Sequence, residues 1–289
     1  MKNALELLYD EYRQRNNGSV QQTIAELIQL IALLGLSRTD FFSKAAFYGG
    51  TALRIIHGLD RFSEDLDFSL RAPLPLFTLD AYLAGISEEL AAYGFTAEIT
   101  LREKKNITPV ESAFIKTNTR QVLVETFPDP QLARQLHAEE VIKVKLEIDT
   151  DPPPEAGFEA RYIDDPVPFS IGIYDPPSLF AGKMAAVLAR SWSGRVKGRD
   201  WYDLIFFTRR NIPLNLRHLE ARLRQVGFYS REDSLDAKAF TEILSERINS
   251  VNFTQAKKDV ERFIRDQREL DVWSKEFFLH VAGKIQSKS

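Results

Sequence analysis

The chain has no cysteine. That excludes a disulfide, a thiol nucleophile and any zinc site built on cysteine. It suits a reducing compartment, so a cytoplasmic protein is expected. Histidine is scarce as well, and His57, His137, His218 and His280 lie far apart in sequence, which suggests no metal cluster. Long apolar runs are missing. The best candidate, residues 28–36, is interrupted by Gln29 and Gly35, so no membrane partner is expected. The opening MKNALELLYDEYRQRN is too charged for a signal peptide. Charge of one sign is lacking too: 38 Lys and Arg against 41 Asp and Glu leave a net charge of −3. There is no bulk attraction to nucleic acid, and any RNA contact must come from a local basic surface. Neither an internal repeat nor a low-complexity tract is visible.

What remains is an ordinary globular composition, 44% hydrophobic and 27% charged over 289 residues, long enough for a sizeable core and two domains. Residues 5–15 and 19–36 read as helices, the second with Ile24, Leu27, Ile28, Ile31 and Leu34 at helical spacing and Gly35 as its stop. A glycine turn at Gly49 and Gly50 leads to a short helix over 53–57 and a strand over 65–69. Thr78 and Gly94 bracket a helix as its caps. Residues 95–101, 113–119 and 122–126 read as strands. Residues 141–149 form another, with Ile142, Val144, Leu146 and Ile148 on one face and Lys143, Lys145, Glu147 and Asp149 on the other. Residues 151–168, rich in proline and acid, read as a loop. Beyond Pro177 the pattern is helical: 179–191, 200–209, 216–226, 237–248, 253–266 and 272–285. The change from mixed to helical pattern near Tyr174 marks a domain boundary.

The segment YGGTALRIIHGLDRFSEDLDFSL, residues 48–70, concentrates the chemistry. Residues two apart on a strand share a face, so Asp65 and Asp67 direct both carboxylates to one place while Leu66 and Phe68 face the core. Beside them, Gly49 and Gly50 allow close backbone approach, and a helix starting near Ala52 favours negative charge at its N-terminus. Thr51 serves either as cap or as phosphate ligand. Converging carboxylates next to such a turn suit a metal–nucleotide site, and magnesium, which shares carboxylates with substrate phosphates, is the expected ion, with manganese as an alternative.

A Gly-Gly turn, a short helix and Asp-x-Asp on a strand resemble the nucleotidyltransferase superfamily, the DNA polymerase β-like fold. The longer pattern GGTALR…RFSEDLDF, followed by IKVKLEID (142–149) and KMAAVLARSWSGRVKGRDWYDL (183–204), resembles the AbiEii/AbiGii (MenT-like) nucleotidyltransferase toxins. The matches reach from about Tyr48 to Leu204. The resemblance implies an α+β fold: a nucleotidyltransferase domain with N-terminal helices over 1–174, its mixed sheet flanked by helices, then a helical domain over 175–289 completing the nucleotide and acceptor cleft.

The same resemblance implies roles. Asp65 and Asp67 hold the metal. Glu147, between Leu146 and Ile148, matches the family's third carboxylate as general base or second-metal ligand; Asp149 is the runner-up, and either can instead be a solvated residue paired with Lys143 or Lys145. Gly49, Gly50, Thr51, Arg61 and Ser63 hold phosphates, and Arg54 braces the turn. Lys183 and Arg190, seven apart and two turns along one helix face, bind nucleotide phosphate. Asp200 belongs to the last motif, though it can equally be a charge at a helix N-terminus. Lys197, Arg199 and Asp203 are weaker candidates, Asp203 as a structural residue. Trp201, Tyr202, Leu204, Phe206 and Phe207 are mainly core.

The implied activity is transfer of a nucleotidyl group from a nucleoside triphosphate to an acceptor hydroxyl, in a toxin with an antitoxin encoded alongside. Family members that add nucleotides to tRNA make the tRNA 3' end the expected acceptor. Seven basic residues between Lys183 and Arg210 (183, 190, 195, 197, 199, 209 and 210) against Asp200 and Asp203 supply a local surface for it. A binding protein on the same fold without turnover, and a transferase that modifies a protein side chain, are the alternatives.

Overall fold

The computed structural model describes residues 4–102, 109–127, 133, 137, 139–190 and 196–288. They fall into two compact units. Unit 1 is residues 1–57, 62–152 and 160–173; unit 2 is residues 58–61, 153–159 and 174–289.

Unit 1 is α+β. Helices α1 (Ala4–Arg15), α2 (Val20–Ser37) and α3 (Phe41–Lys44) lead into strand β1 (Ala45–Tyr48), helix α4 (Gly49–His57) and strand β2 (Asp65–Leu70). Then come α5 (Asp80–Ala92), β3 (Glu98–Leu101), β4 (Val110–Asn118), α6 (Thr119–Glu125), β5 (Val141–Asp149), β6 (Phe158–Ile163) and β7 (Phe169–Tyr174), the last two sharing terminal residues with unit 2. Among the described residues the strands form one seven-stranded sheet in the order β3-β4-β5-β2-β1-β7-β6. β2 runs antiparallel to β1 and parallel to β5. The sheet is therefore mixed, as expected.

Helix α2 is the core of this unit. Ile24, Leu27 and Ile28 are fully buried, and Ser19 caps its start by accepting from the Gln22 N–H. By length and composition α2 could span a bilayer, but 83% of it is buried within the protein, as a core helix would be. Neither expected interruption breaks it. Gln29 is buried and donates to the Ser63 and Glu64 carbonyls at 3.0 Å each. Gly35 is not the stop: a Cβ there would lie 2.7 Å from the Gly85 carbonyl oxygen, so the missing side chain lets α5 cross closely.

The pattern on β5 is as read from the sequence: Ile142, Val144, Leu146 and Ile148 are buried, and the alternating polar residues are not. Three local readings fail. Residues 119–125 are helical, not a strand, because Asn118 accepts from the Gln121 N–H and starts a helix that the valine spacing had masked. The loop over 151–168 contains β6, and β7 follows; their cross-sheet pairing has no local sequence signature. Helix α5 starts at Asp80 without a side-chain cap from Thr78, although Gly94 does follow it in the left-handed conformation.

Unit 2 is mainly helical: α7 (Pro176–Ala189), α8 (Gly198–Arg209), α9 (Leu216–Gln225), α10 (Ala237–Ser250), α11 (Phe253–Val260) and α12 (Lys275–Ala282). Short β8 (Leu214–Asn215) and β9 (Ser287–Lys288) pair in parallel. The helices expected over 253–266 and 272–285 are shorter, with 3₁₀ turns at Glu261–Phe263 and Gln267–Leu270. Trp201 is fully buried and meets edge-on the stacked rings of Phe253 and Phe278, at 5.2 and 5.1 Å, and Phe180 stacks on Phe207 at 4.5 Å. Phe206, read as core, is only half-buried.

Candidate active site

In unit 1 the glycines sit inside the first turn of α4, which begins at Gly49 and not near Leu53. The antiparallel register sets Tyr48 opposite Asp67, so the chain leaves β1 directly over that carboxylate. Gly49 has φ of +86°, and a Cβ there would overlap the Asp67 carboxylate. Both facts require glycine: the backbone angle is costly for other residues, and the space belongs to Asp67. Thr51 is fully buried, and its hydroxyl donates to the Asp65 carbonyl. That bond ties α4 to the start of β2.

Asp65 and Asp67 are half-exposed while Leu66 and Phe68 are fully buried, so the alternation holds and both carboxylates occupy the polar face. The parallel register puts Lys145 beside Asp65, Glu147 beside Asp67 and Asp149 beside Ser69. Glu147 is thus the acidic residue that β5 brings to Asp67. Its carboxylate forms an ion pair with Lys145. Among the described residues no group of three or more His, Asp or Glu stands ready to hold a metal ion. The donor set is two hard oxygen ligands on one strand, which fits magnesium completed by substrate phosphates and does not fit an all-protein cage.

Two buried residues fix this end of unit 1. Ser63 is buried, its backbone held by Gln29. Arg54 donates from Nε and Nη2 to Glu26, at 2.6 and 3.0 Å, and from Nη2 to Asn16 at 2.9 Å, joining α4 to α2 and to the turn that follows α1.

In unit 2 the centre is Asp203, fully buried on α8. Arg61 donates to it from Nε and Nη2, each at 2.6 Å, and Lys183 Nζ lies 2.7 Å from the same carboxylate. Burial opposes ionisation of Asp203, but the charges of Arg61 and Lys183 outweigh it and hold the carboxyl below the usual range. Burial likewise opposes the Arg61 charge, and Asp203 more than restores it. Arg61, expected to bind phosphate, is directed at Asp203.

Arg190 does not continue the face of Lys183. Helix α7 ends at Ala189, and Arg190 is extended, so spacing of seven no longer aligns the two. Arg190 instead meets Asp200 at 3.1 Å. Because Asp200 and Asp203 lie three apart on α8, the two cations still meet neighbouring positions on that helix. Lys197 precedes α8 without a side-chain cap; burial, then Arg190, holds its ammonium below the usual pKa. Arg199 lies 4.2 Å over the Phe263 ring. Arg195 lies outside the described residues.

Sequence reasoning gave Asp203 only a structural part and did not foresee its two cations, because partners 20 and 142 residues away leave no local pattern. The i, i+3 spacing from Asp200 was the available signal. It also missed His218, fully buried on α9, with Nδ1 2.8 Å from the Pro154 carbonyl and Nε2 accepting from Arg222 Nε at 3.1 Å. These bonds, with Asn215 Nδ2 donating to the Glu155 carbonyl at 2.9 Å, fasten segment 153–159 within unit 2.

A mixed sheet with paired aspartates beside a glycine-started helix defines a nucleotidyltransferase fold. A solved structure, JHP933 from Helicobacter pylori, shares it over 92% of this chain and 91% of its own at 20% identity, with a TM-score of 0.52. A second H. pylori structure, of a proposed nucleotidyltransferase, covers 92% and 94% at 20% identity, with a TM-score of 0.48. No curated protein matches the chain. The family described as nucleotidyl transferase AbiEii toxin, type IV toxin–antitoxin system, matches residues 31–280, and the chain belongs to it. Membership makes it a nucleotidyltransferase of the toxin–antitoxin kind and implies a cognate antitoxin.

Proposed function

We propose that the protein transfers a nucleoside monophosphate from a nucleoside triphosphate to an acceptor hydroxyl, with magnesium bound by Asp65 and Asp67 and the tRNA 3' end as acceptor, in the cytoplasm. The observation that carries this reading is the Gly49–Asp67 contact: a left-handed glycine at the start of α4 whose missing Cβ makes room for one of two carboxylates on a single strand face. The metal, when bound, supplies positive charge to the phosphate oxygens.

The protein's own residues do the rest. The backbone of Gly49 and Gly50, in the first turn of α4, receives phosphate oxygens. Lys183, oriented by Asp203, offsets the negative charge that grows on the phosphoryl group, and Arg190 adds to it. Glu147 leaves Lys145 to take the acceptor proton as the acceptor oxygen bonds to the α-phosphorus and the bond to pyrophosphate breaks. Asp149, one register step further at Ser69, is the reserve base.

One observation favours a second reading. Glu147, the carboxylate beside Asp67, is already paired with Lys145, and a third carboxylate so engaged also suits a protein that binds nucleotide without turnover. The test is incubation with each labelled triphosphate, magnesium and total tRNA, beside an Asp65→Ala/Asp67→Ala control. Label on tRNA from the intact protein alone supports the transferase and names its nucleotide. Triphosphate binding with no label on RNA or protein supports the second reading.

A further inference from the structure

Unit 2 contains a cavity of about 360 Å³ to which no role has been given. It is lined by the residue 58–60 turn, the second half of α8, the 3₁₀ turn at Gln267–Leu270 and the approach to α12. None of the carboxylates, glycines or cations assigned above to metal or triphosphate lines it; Arg209 and Arg210, from the basic surface expected for RNA, do. Its volume lies toward the small end of the ~300–1,000 Å³ typical of small-molecule sites.

Its chemistry is specific. Four aromatic side chains contribute to the wall: Tyr202, Phe206, Trp273 and Phe277. Phe206 and Phe277 are half-buried although both carry large apolar rings, so ring surface remains open to a ligand. Two arginines accompany them. Arg210 stacks over Phe206, its guanidinium carbon 4.3 Å from the ring centre, and Arg209 lies 4.0 Å from Glu269. Both are exposed, as cations that receive a phosphate from solvent must be. Two carboxylates, Asp60 and Glu269, complete the lining. Tyr202 donates its hydroxyl to Glu269 at 3.4 Å, which orients that carboxylate.

Aromatic faces bind planar rings, arginines bind phosphate, and carboxylates accept from ring N–H and exocyclic amino groups. A nucleotide carries all three. An aromatic protein side chain would use the rings but would bring no anion to the two exposed guanidiniums. We infer that this cavity receives one unstacked nucleobase of single-stranded RNA, its ring against the aromatic side chains and its phosphate on Arg209 and Arg210. Recognition of base plus phosphate rests on the cavity. The choice of RNA over a free nucleotide rests on the transferase reading above. The cavity then serves as a holding point for the acceptor strand.

The test is binding without triphosphate or divalent metal, so that it stands or falls apart from transfer. Fluorescence anisotropy would compare a labelled, unstructured RNA of roughly eight nucleotides with an abasic strand of the same length and with free nucleoside monophosphates. The intact protein should prefer the base-bearing strand by about tenfold, the scale of one base stacked on aromatic side chains. Phe277→Ala should remove that preference and leave abasic binding unchanged. Arg210→Ala should weaken both strands and flatten the salt dependence. Irradiation of a 5-iodouracil strand bound to the intact protein should place crosslinks on Tyr202, Phe206, Trp273 or Phe277, a result independent of whether any variant folds. Equal binding of the two strands, or crosslinks only elsewhere, would overturn the inference. Monophosphates that bind as tightly as the strand would overturn the RNA assignment and leave a free-nucleotide site. A purified antitoxin that displaces nothing from the cavity but is itself crosslinked there would make it a protein-docking site.

Discussion

Asp203→Asn takes one negative charge from a place where two positive charges depend on it. The side chains of Asp203 and Arg61 are 0% and 2% exposed, and that of Lys183 is 16% exposed. The asparagine amide keeps the shape of the carboxylate but can accept through one oxygen only, so of the three charge-assisted contacts at 2.6, 2.6 and 2.7 Å at least one is replaced by an N–H facing an N–H. Arg61 cannot lose its proton and is left as a buried, uncompensated cation. Breaking a buried pair in this way costs about 3–5 kcal/mol. The loss should appear in urea unfolding monitored by a probe in unit 2 as a lower midpoint with an unchanged slope. An Arg61→Met/Asp203→Leu double variant, which removes both charges and fills the space, should regain most of it, because apolar replacement of a whole buried pair is close to neutral. On the role proposed for Lys183, the double variant should still lack activity, since that residue has lost its anchor. The pH dependence has a definite sign. A carboxyl held below its unfolded pKa stabilises fully above that value, near 3.8, and the contribution is lost as pH falls through the lower folded value. Asp203→Asn should therefore remove stability at neutral pH and flatten the acid limb. A cost below about 1 kcal/mol would refute the reasoning, because an exposed pair behaves that way and a buried one does not.

Other expectations follow from the same contacts. Gly49→Ala should cost about 1–3 kcal/mol in thermal or urea unfolding, from the left-handed backbone and displacement of Asp67, and should raise the magnesium concentration needed for half-maximal transfer. Arg54→Ala should cost about 3–5 kcal/mol by leaving Glu26 buried and unpaired, whereas Arg190→Ala, whose side chain is 48% exposed, should cost less than about 1 kcal/mol and raise the KM for triphosphate. Burial, then the neighbouring Arg222, pushes His218 down to about 4. It therefore favours the fold fully above the unfolded pKa of 6.5 and loses that contribution as pH falls toward 4, on the order of 3 kcal/mol in all. Unit 2 should lose stability across that interval with a slope that His218→Gln reduces; an unchanged slope would mean that other groups carry the acid response.

Elements whose information is local were legible in the sequence. Period-two alternation on β2 and β5 placed Asp65, Asp67 and Glu147 on polar faces, because a strand has no other way to bury Leu66, Phe68, Leu146 and Ile148. The order of motifs was enough to give the family and the α+β fold. Tertiary structure decided what depends on partners far along the chain. Residues 119–125 became a helix once Asn118 supplied a cap, and β6 and β7 exist because a sheet edge was available to pair them. Gly35 proved to be a crossing point with α5 and not a helix stop. Arg190 left the face of Lys183 because α7 ended at Ala189, just before it, and Asp203 gained Arg61 and Lys183 from 142 and 20 residues away. A hydrophobic pattern records which side of an element faces inward. It does not record which charged group will be waiting there, because that depends on how the elements pack and on the cost of leaving any buried charge without a partner.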